Sequence, residues 1–169
     1  MTFKTSLDKT AMGVTTAITI LFAAIIIGQI LMIKEEVRAF PIFISVFLFL
    51  IYFGTFLFRP INYILTNDEL IIHRPFKDII IDRNKISSVE ILDKEKLKGT
   101  IRTFGVGGLF GYWGSFANAK IGPMTWYATR RNNSVLIKTI NNNKIVLTPN
   151  EPEKFIAVLK GINDTISPH

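Results

Sequence analysis

Residues able to do chemistry are few and scattered in this chain of 169 residues. Its two histidines are His73, within Glu69-Leu70-Ile71-Ile72-His73-Arg74, and His169 at the last position, and that spacing builds no metal site. No motif surrounds His73 to make it a general base, so a histidine at a strand edge or surface is the simpler reading. Asp78, Asp82 and Glu90 are close enough in sequence to form a carboxylate pair on neighbouring strands, but acids beside turns ordinarily cap those turns in solvent. The lack of cysteine removes disulfides, thiolate nucleophiles and cysteine-held metal centres together. Neither a metal, a cofactor nor an enzymatic reaction is expected.

A glycine-aromatic block carries the sharper signal. Gly105, Gly108, Gly111 and Gly114 recur at every third position with Gly107 added, and Phe104, Val106, Leu109, Phe110, Tyr112, Trp113 and Phe116 stand between them. It is not a nucleotide loop, because Phe110 stands where a third glycine belongs and no Gly-Lys-Ser/Thr follows. Three readings stay open: an irregular strand with tight turns whose aromatics fill a core, a loop facing the membrane or its spans, or a groove for a partner or second copy. Phe110, Tyr112, Trp113 and Phe116 are the candidate interface or membrane-facing residues. Lys94, Lys96, Lys98 and Arg102 are candidate contacts to an anionic surface, although Asp93 and Glu95 interleave with them. Arg130-Arg131 before Asn132-Asn133 reads as a charged hairpin tip. Nucleic acid is not expected as a partner, since only the net charge of +7 favours it and the aromatics are not spaced among basic residues.

These residues must be positioned by two kinds of element. Two apolar runs, Ala11 to Ile33 and Phe40 to Phe58, are separated only by Lys34-Glu35-Glu36-Val37-Arg38-Ala39. Each has roughly the 20 residues that a helix needs to cross a bilayer, and neither holds an ionised side chain, so a membrane hairpin is predicted. The first run is too long for the core of a secretory leader, and a second begins at once. The short connection puts both ends on one face, and Lys4, Lys9, Arg59 and the basic remainder place that face in the cytoplasm. Gln29 is read as a hydrogen bond between the helices or as snorkelling near the end of the span, in preference to a pore or proton-path group, and Gly13, Ala17, Ala24 and Gly28 as small residues permitting close approach.

Residues 59–169 read as one soluble domain. Strands are predicted over Tyr63–Thr66, Glu69–Arg74, Asp78–Asp82, Ile86–Leu92, Met124–Thr129, Ser134–Thr139 and Lys144–Leu147, with a bulge where the apolar phase switches between 86 and 89. Asn141-Asn142-Asn143 is a hairpin turn, because asparagine tolerates positive φ. Thr148-Pro149-Asn150-Glu151 reads as a capping box opening a helix over about 149–162, with Phe155, Val158, Leu159 and Ile162 as its apolar stripe. Six or seven antiparallel strands and one terminal helix make a bent sandwich or barrel capped at one end.

The segments YILTNDELIIHRPFKDIIIDRNKISSVEILD, RTFGVGGLFGYWGSF, TWYATRRNNSVLIKT and KIVLTPNEPEKFIAVLK together resemble the membrane-anchored bacterial pleckstrin-homology (PH)-like proteins. The resemblance implies a mainly-β, PH-like barrel of about seven strands with a C-terminal helix, attached to a two-helix transmembrane hairpin in the bacterial inner membrane. It brings no defined reaction. Phosphoinositide binding in eukaryotic pleckstrin-homology domains depends on a basic loop after the first strand; here the matching segment, Thr66-Asn67-Asp68-Glu69, has no lysine or arginine, so that ligand is not expected. The implied role is a cytoplasmic platform for protein interaction or for the membrane surface, its partners the lipid bilayer, an unidentified membrane or cytoplasmic protein, and a possible homo-oligomer. The alternative is an accessory subunit of a transporter or envelope-stress complex whose two spans make the specific contacts.

Overall fold

The computed structural model of the chain describes residues 1–32 and 39–161. It begins with a short strand, β1 (Thr2–Lys4), followed by two long helices, α1 (Lys9–Met32) and α2 (Ala39–Leu57). Asp8 starts α1 by accepting the Ala11 N–H at 2.7 Å on Oδ1, which satisfies one of the donors left free at a helix start. By length and composition Lys9–Leu31 can cross a membrane, whereas the described apolar stretch of α2, Ile42–Leu57, is shorter. A second full span is therefore not clearly shown, and Ile33 and the expected connection through Arg38 lie outside the described residues. Gln29 does reach across, its Nε2 donating to Ser45 Oγ. The expected close packing at glycine does not hold, since a Cβ on Gly13 or Gly28 would meet nothing within 4 Å.

The rest of the chain is mainly β. Strands β2 (Asn62–Leu65), β3 (Glu69–His73), β4 (Ile79–Asp82), β5 (Ile86–Leu92), β6 (Ile101–Gly108), β7 (Gly111–Asn118), β8 (Gly122–Ala128), β9 (Ser134–Thr139) and β10 (Lys144–Leu147) are joined by a short helix α3 (Lys94–Leu97) and closed by α4 (Pro152–Leu159). They form a four-stranded sheet, β1-β2-β3-β4, and a six-stranded sheet, β5-β9-β10-β8-β7-β6. The bulge expected in β5 is present, as a register shift between Ile86 and Ser88 against β9. Asn142 takes positive φ in the β9–β10 turn, as its side chain allows.

Three expectations need correction. Among the described residues there are ten strands rather than about seven, because β1 and the β6–β7 pair lie where charge or glycine masks the strand pattern. The pairing is not wholly antiparallel: β9 is laid down beyond β10, and β10 returns between β9 and β8, parallel to β8. The terminal helix starts at Pro152 rather than at 149, since the Thr148 hydroxyl is buried and accepts the Thr129 N–H at 2.9 Å, leaving it no role as a cap. Phe155 and Leu159 of its stripe are buried, Val158 is half-buried, and Ile162 lies outside the described residues. In addition, residues ahead of the two helices join the β framework. β1 pairs with β2 in antiparallel register, and Phe3 is 4 % exposed, with its ring edge-on to Phe155 at 5.1 Å.

Two layers of core result. One fills the space between the sheets under α4, with Phe3, Tyr63, Leu70, Ile72, Val135, Ile137 and Phe155. At its centre the Tyr63 hydroxyl donates to the Tyr127 carbonyl at 2.6 Å and accepts the Thr148 N–H at 3.1 Å, and burial pushes this phenol up to about 12. The other covers the opposite face of the large sheet, where Tyr112, Phe116, Trp126 and Leu136 meet Ala11 of α1. Hydropathy treats Phe3 as a mere flank of the first helix, but its burial predicts otherwise. Phe3→Ala is expected to destabilise the protein by roughly 3 kcal/mol or more, and Phe104→Ala, at an exposed site, by less than about 0.5 kcal/mol. Denaturant unfolding of the detergent-solubilised chain measures both.

Candidate functional site

The glycine-aromatic block is a regular β6–β7 hairpin bent by its glycines. Gly105, Gly108, Gly111 and Gly114 all have positive φ, and they face each other in pairs, Gly105 with Gly114 and Gly108 with Gly111. A Cβ on Gly114 would come within 2.5 Å of the Phe104 carbonyl oxygen, and one on Gly105 within 2.3 Å of that of Trp113. Only glycine permits this conformation and this approach. The hairpin thereby coils and carries its two-residue tip, Leu109-Phe110, onto the helices.

Phe110 is 7 % exposed and takes a positive φ of 57°, an uncommon conformation for a bulky residue, which its contacts hold in place. Its N–H donates to Thr15 Oγ1 on α1 at 2.9 Å. Its ring lies edge-on to Tyr52 at 5.1 Å and to Phe56 at 5.5 Å on α2, an arrangement aromatic quadrupoles favour. The Arg59 guanidinium covers the faces of Phe56 and Phe110 at 4.4 and 5.6 Å. The tip is thus in contact with both helices at once.

A second junction lies at the start of α1. Besides capping α1, Asp8 accepts the Tyr112 hydroxyl at 3.2 Å and the Arg131 N–H at 3.1 Å, while its own N–H donates to the Thr129 carbonyl. Desolvation, and then the Asp8 charge, push the Tyr112 phenol up to about 12, and the Arg131 guanidinium stands over its ring at 5.0 Å. Arg130 donates to Ser6 Oγ and to the Pro149 carbonyl. Lys9, Lys94, Arg130 and Arg131 line a groove of about 600 Å³ there, so the basic pair is not a free hairpin tip.

The structure divides the predicted site residues. Tyr112 and Phe116 belong to the core, with Phe116 stacked on Trp126 at 4.8 Å, Phe110 faces the helices, and Trp113 is half-buried beside Phe58 at 5.8 Å. Tyr112 and Phe116 thus lie where the core reading puts them, while Phe110 lies against the two helices. Lys94, Lys96, Lys98 and Arg102 are exposed. Lys96 pairs with Glu90 at 3.1 Å, and the Arg102 side chain runs along Gly107. Nor do the acids pair with one another: Asp78 meets His73 Nδ1 at 2.9 Å, Asp82 pairs with Lys85, and Glu90 also pairs with Lys138 at 3.2 Å. Among the described residues, no three His, Cys, Asp or Glu are grouped to hold a metal.

With two sheets, one closing helix and this hairpin in view, the comparison with known families is decisive: residues 61–162 match the Bacterial PH domain family. The chain belongs to that family. No curated protein and no solved structure matches it. In this PH domain the segment Thr66–Glu69 closes β2 onto β3 at the end remote from α1 and α2, because β2 leaves α2 at Asn62 and runs away from it. Arg83 occupies the inner side of that turn, donating to the Thr66 and Asn67 carbonyls and, through its other nitrogen, to the Val158 and Leu159 carbonyls at the end of α4.

Sequence reasoning missed the loop between β3 and β4. There the Arg74 N–H donates to Asp78 Oδ1 at 3.0 Å, and this bond together with the one from His73 holds the Asp78 carboxyl below the ordinary aspartate range. A depressed folded value means that this bracing is present above the ordinary aspartate range and is lost as pH falls through the folded value. A spin label on Pro75→Cys should be immobile at neutral pH and become mobile on acidification below the ordinary aspartate range of about 4; with Asp78→Ala it should be mobile throughout. For the hairpin, Gly114→Ala should cost well over 1 kcal/mol, because strain and a backbone clash add. Gly107→Ala, whose Cβ would meet only the flexible Arg102 side chain at 3.5 Å, should leave the melting temperature nearly unchanged.

Proposed function

We propose that this is an integral protein of the bacterial inner membrane, with both helices as spans and the PH domain in the cytoplasm, acting as an interaction platform without a reaction of its own. The observation that carries this reading is that α1 is apolar and that its most apolar 18-residue stretch has no residue buried, yet the helix is rooted in the domain through Ala11 and Asp8. A core helix of a soluble protein would be covered. A cleaved leader would take Phe3 and Ala11 out of the two cores, and Asp8 out of its junction. Large apolar side chains such as Ile20, Leu31, Phe43 and Phe47 are exposed along both helices, which a bilayer would cover.

The charge of the domain supports the same orientation. The end from which the helices emerge carries Lys4, Lys9, Arg59, Arg74, Lys77, Arg130 and Arg131 against Asp8 and Asp78, whereas the far end holds Asp68, Glu69 and Asp82 among its own basic residues. A basic end facing an anionic leaflet is favoured by roughly 1 kcal/mol per cation near the surface. The platform itself is the free edge at β6, one of the two outermost strands of the large sheet, where Ile101 and Phe104 are 65 % and 76 % exposed. Such an edge offers backbone donors and acceptors to an added strand. The accessory-subunit alternative is favoured by the open faces at Gly13 and Gly28, where another helix could approach closely.

Photo-crosslinking of the full chain in cells separates these readings. With a benzophenone amino acid at Phe104, the platform reading predicts a discrete adduct that is absent when the probe is at Ile140 in the distant β9–β10 turn. An adduct from Phe43 on α2, with none from Phe104, would favour the accessory subunit. In either case the chain should stay in the membrane fraction after carbonate extraction; release into the supernatant would contradict both.

A further inference from the structure

Phe76 is 66 % exposed, although the loop that carries it is held from several sides. Within the loop, Asp78 braces His73 and the Arg74 N–H, and Arg74 Nε donates to the Lys77 carbonyl at 2.6 Å. The loop is also tied to the end of α2. The Phe76 N–H donates to the Leu57 carbonyl at 3.1 Å, one of the carbonyls that a helix C-terminus leaves without an internal partner. The Phe58 ring meets Phe76 edge-on at 5.7 Å, and the Arg74 guanidinium lies over the other neighbour of this contact, the Phe58 ring, at 5.4 Å. An apolar ring is therefore fixed outside the protein at the level where α2 ends, with Arg74 and Lys77 on either side of it in the loop.

In water this arrangement exposes an aromatic side chain on a rigid support with no gain from burial. At a bilayer surface the same elements complement one another: the ring enters the boundary between head groups and acyl chains, and the cations meet lipid phosphates. Pro75 has no N–H and that of Phe76 is already bonded, so two consecutive residues bring no free backbone donor into the less polar zone. Continuity with the end of α2 and the positive charge around it both select the lipid surface as the occupant over a second copy, whose own basic loop would be repelled.

We propose that the Arg74–Lys77 loop is a third, non-spanning membrane contact, in which Phe76 inserts at the head-group level of an anionic leaflet while Arg74 and Lys77 engage lipid phosphates. This rests on the membrane-anchored reading above. The loop and the two helices contact the bilayer at separate points, so together they fix the tilt of the PH domain and with it the direction in which the β6 edge faces.

The absence of cysteine allows single labels to be placed without background. The full chain carrying a fluorophore on Pro75→Cys, on Ile140→Cys in the far turn, or on Ile20→Cys in α1 is reconstituted in phosphatidylglycerol-containing vesicles and exposed to lipids with nitroxides at shallow depth or at mid-chain. The expected result is shallow quenching at 75 several-fold above that at 140, falling toward the value at 140 when Phe76→Ser is added, with mid-chain quenching at 20. Quenching at 20 without excess quenching at 75 would overturn the loop contact and leave the anchor intact. Quenching at 75 that Phe76→Ser does not change would overturn insertion of the ring. No quenching at either 20 or 75 would overturn the anchored reading itself.

Discussion

The contact on which the rest of the molecule depends is the seating of Phe110 against Tyr52 and Phe56, with its N–H on Thr15. Each partner comes from a different part of the chain: α1, α2 and the β6–β7 tip. The ring can reach that place only because paired glycines let the hairpin coil tightly, and a side chain at Gly105 or Gly114 would collide with the opposite backbone. A local requirement for positive φ thus becomes a long-range one, joining an exposed apolar helix pair to a β domain.

The Asp8 junction completes this coupling. The chain enters the domain as β1, leaves it through α1, returns through α2 and continues as β2, so β1 and β2 are neighbours in one sheet on either side of the helices. Asp8 binds the first turn of α1, Tyr112 and Arg131 simultaneously, and as an ionised acceptor it makes stronger hydrogen bonds than a neutral group would. A helix pair joined by a flexible linker would report nothing to the domain. Held at two points, it sets the orientation of every exposed feature, including the β6 edge and the Phe76 loop.

Much of the β framework was legible in the sequence. The apolar runs from Tyr63 through Leu92 and from Met124 through Leu147 keep their alternation because their neighbours are conventional strands, and the asparagine turn and the β5 bulge follow from local chemistry. The missed parts are those whose cause is tertiary. β1 is three residues beside a helix, and only its pairing with β2 reveals Phe3 as core. The glycine block hides two strands, since glycine carries no alternation signal. The false capping box at Thr148 had a suitable local pattern, but burial gave its hydroxyl another partner. Among the candidate residues, Tyr112, Trp113 and Phe116 were placed on an element of uncertain kind and then separated by the pleat, while the importance of Asp8 depends on Tyr112 and Arg131, and that of Phe76 on the end of α2, so neither leaves a short-range pattern.

What the domain touches then follows from how firmly it is held. If helices and domain form one body, the partner recognition proposed for β6 would take place at a fixed height and angle above the proposed leaflet. The most direct measurement is the distance distribution, by pulsed electron resonance, between spin labels on Ile20→Cys in α1 and Ile140→Cys at the far turn of the domain, in the full chain in nanodiscs. The account predicts a single narrow distribution that broadens when Phe110→Ala is added. A broad distribution in the unaltered chain, unchanged by Phe110→Ala, would contradict it.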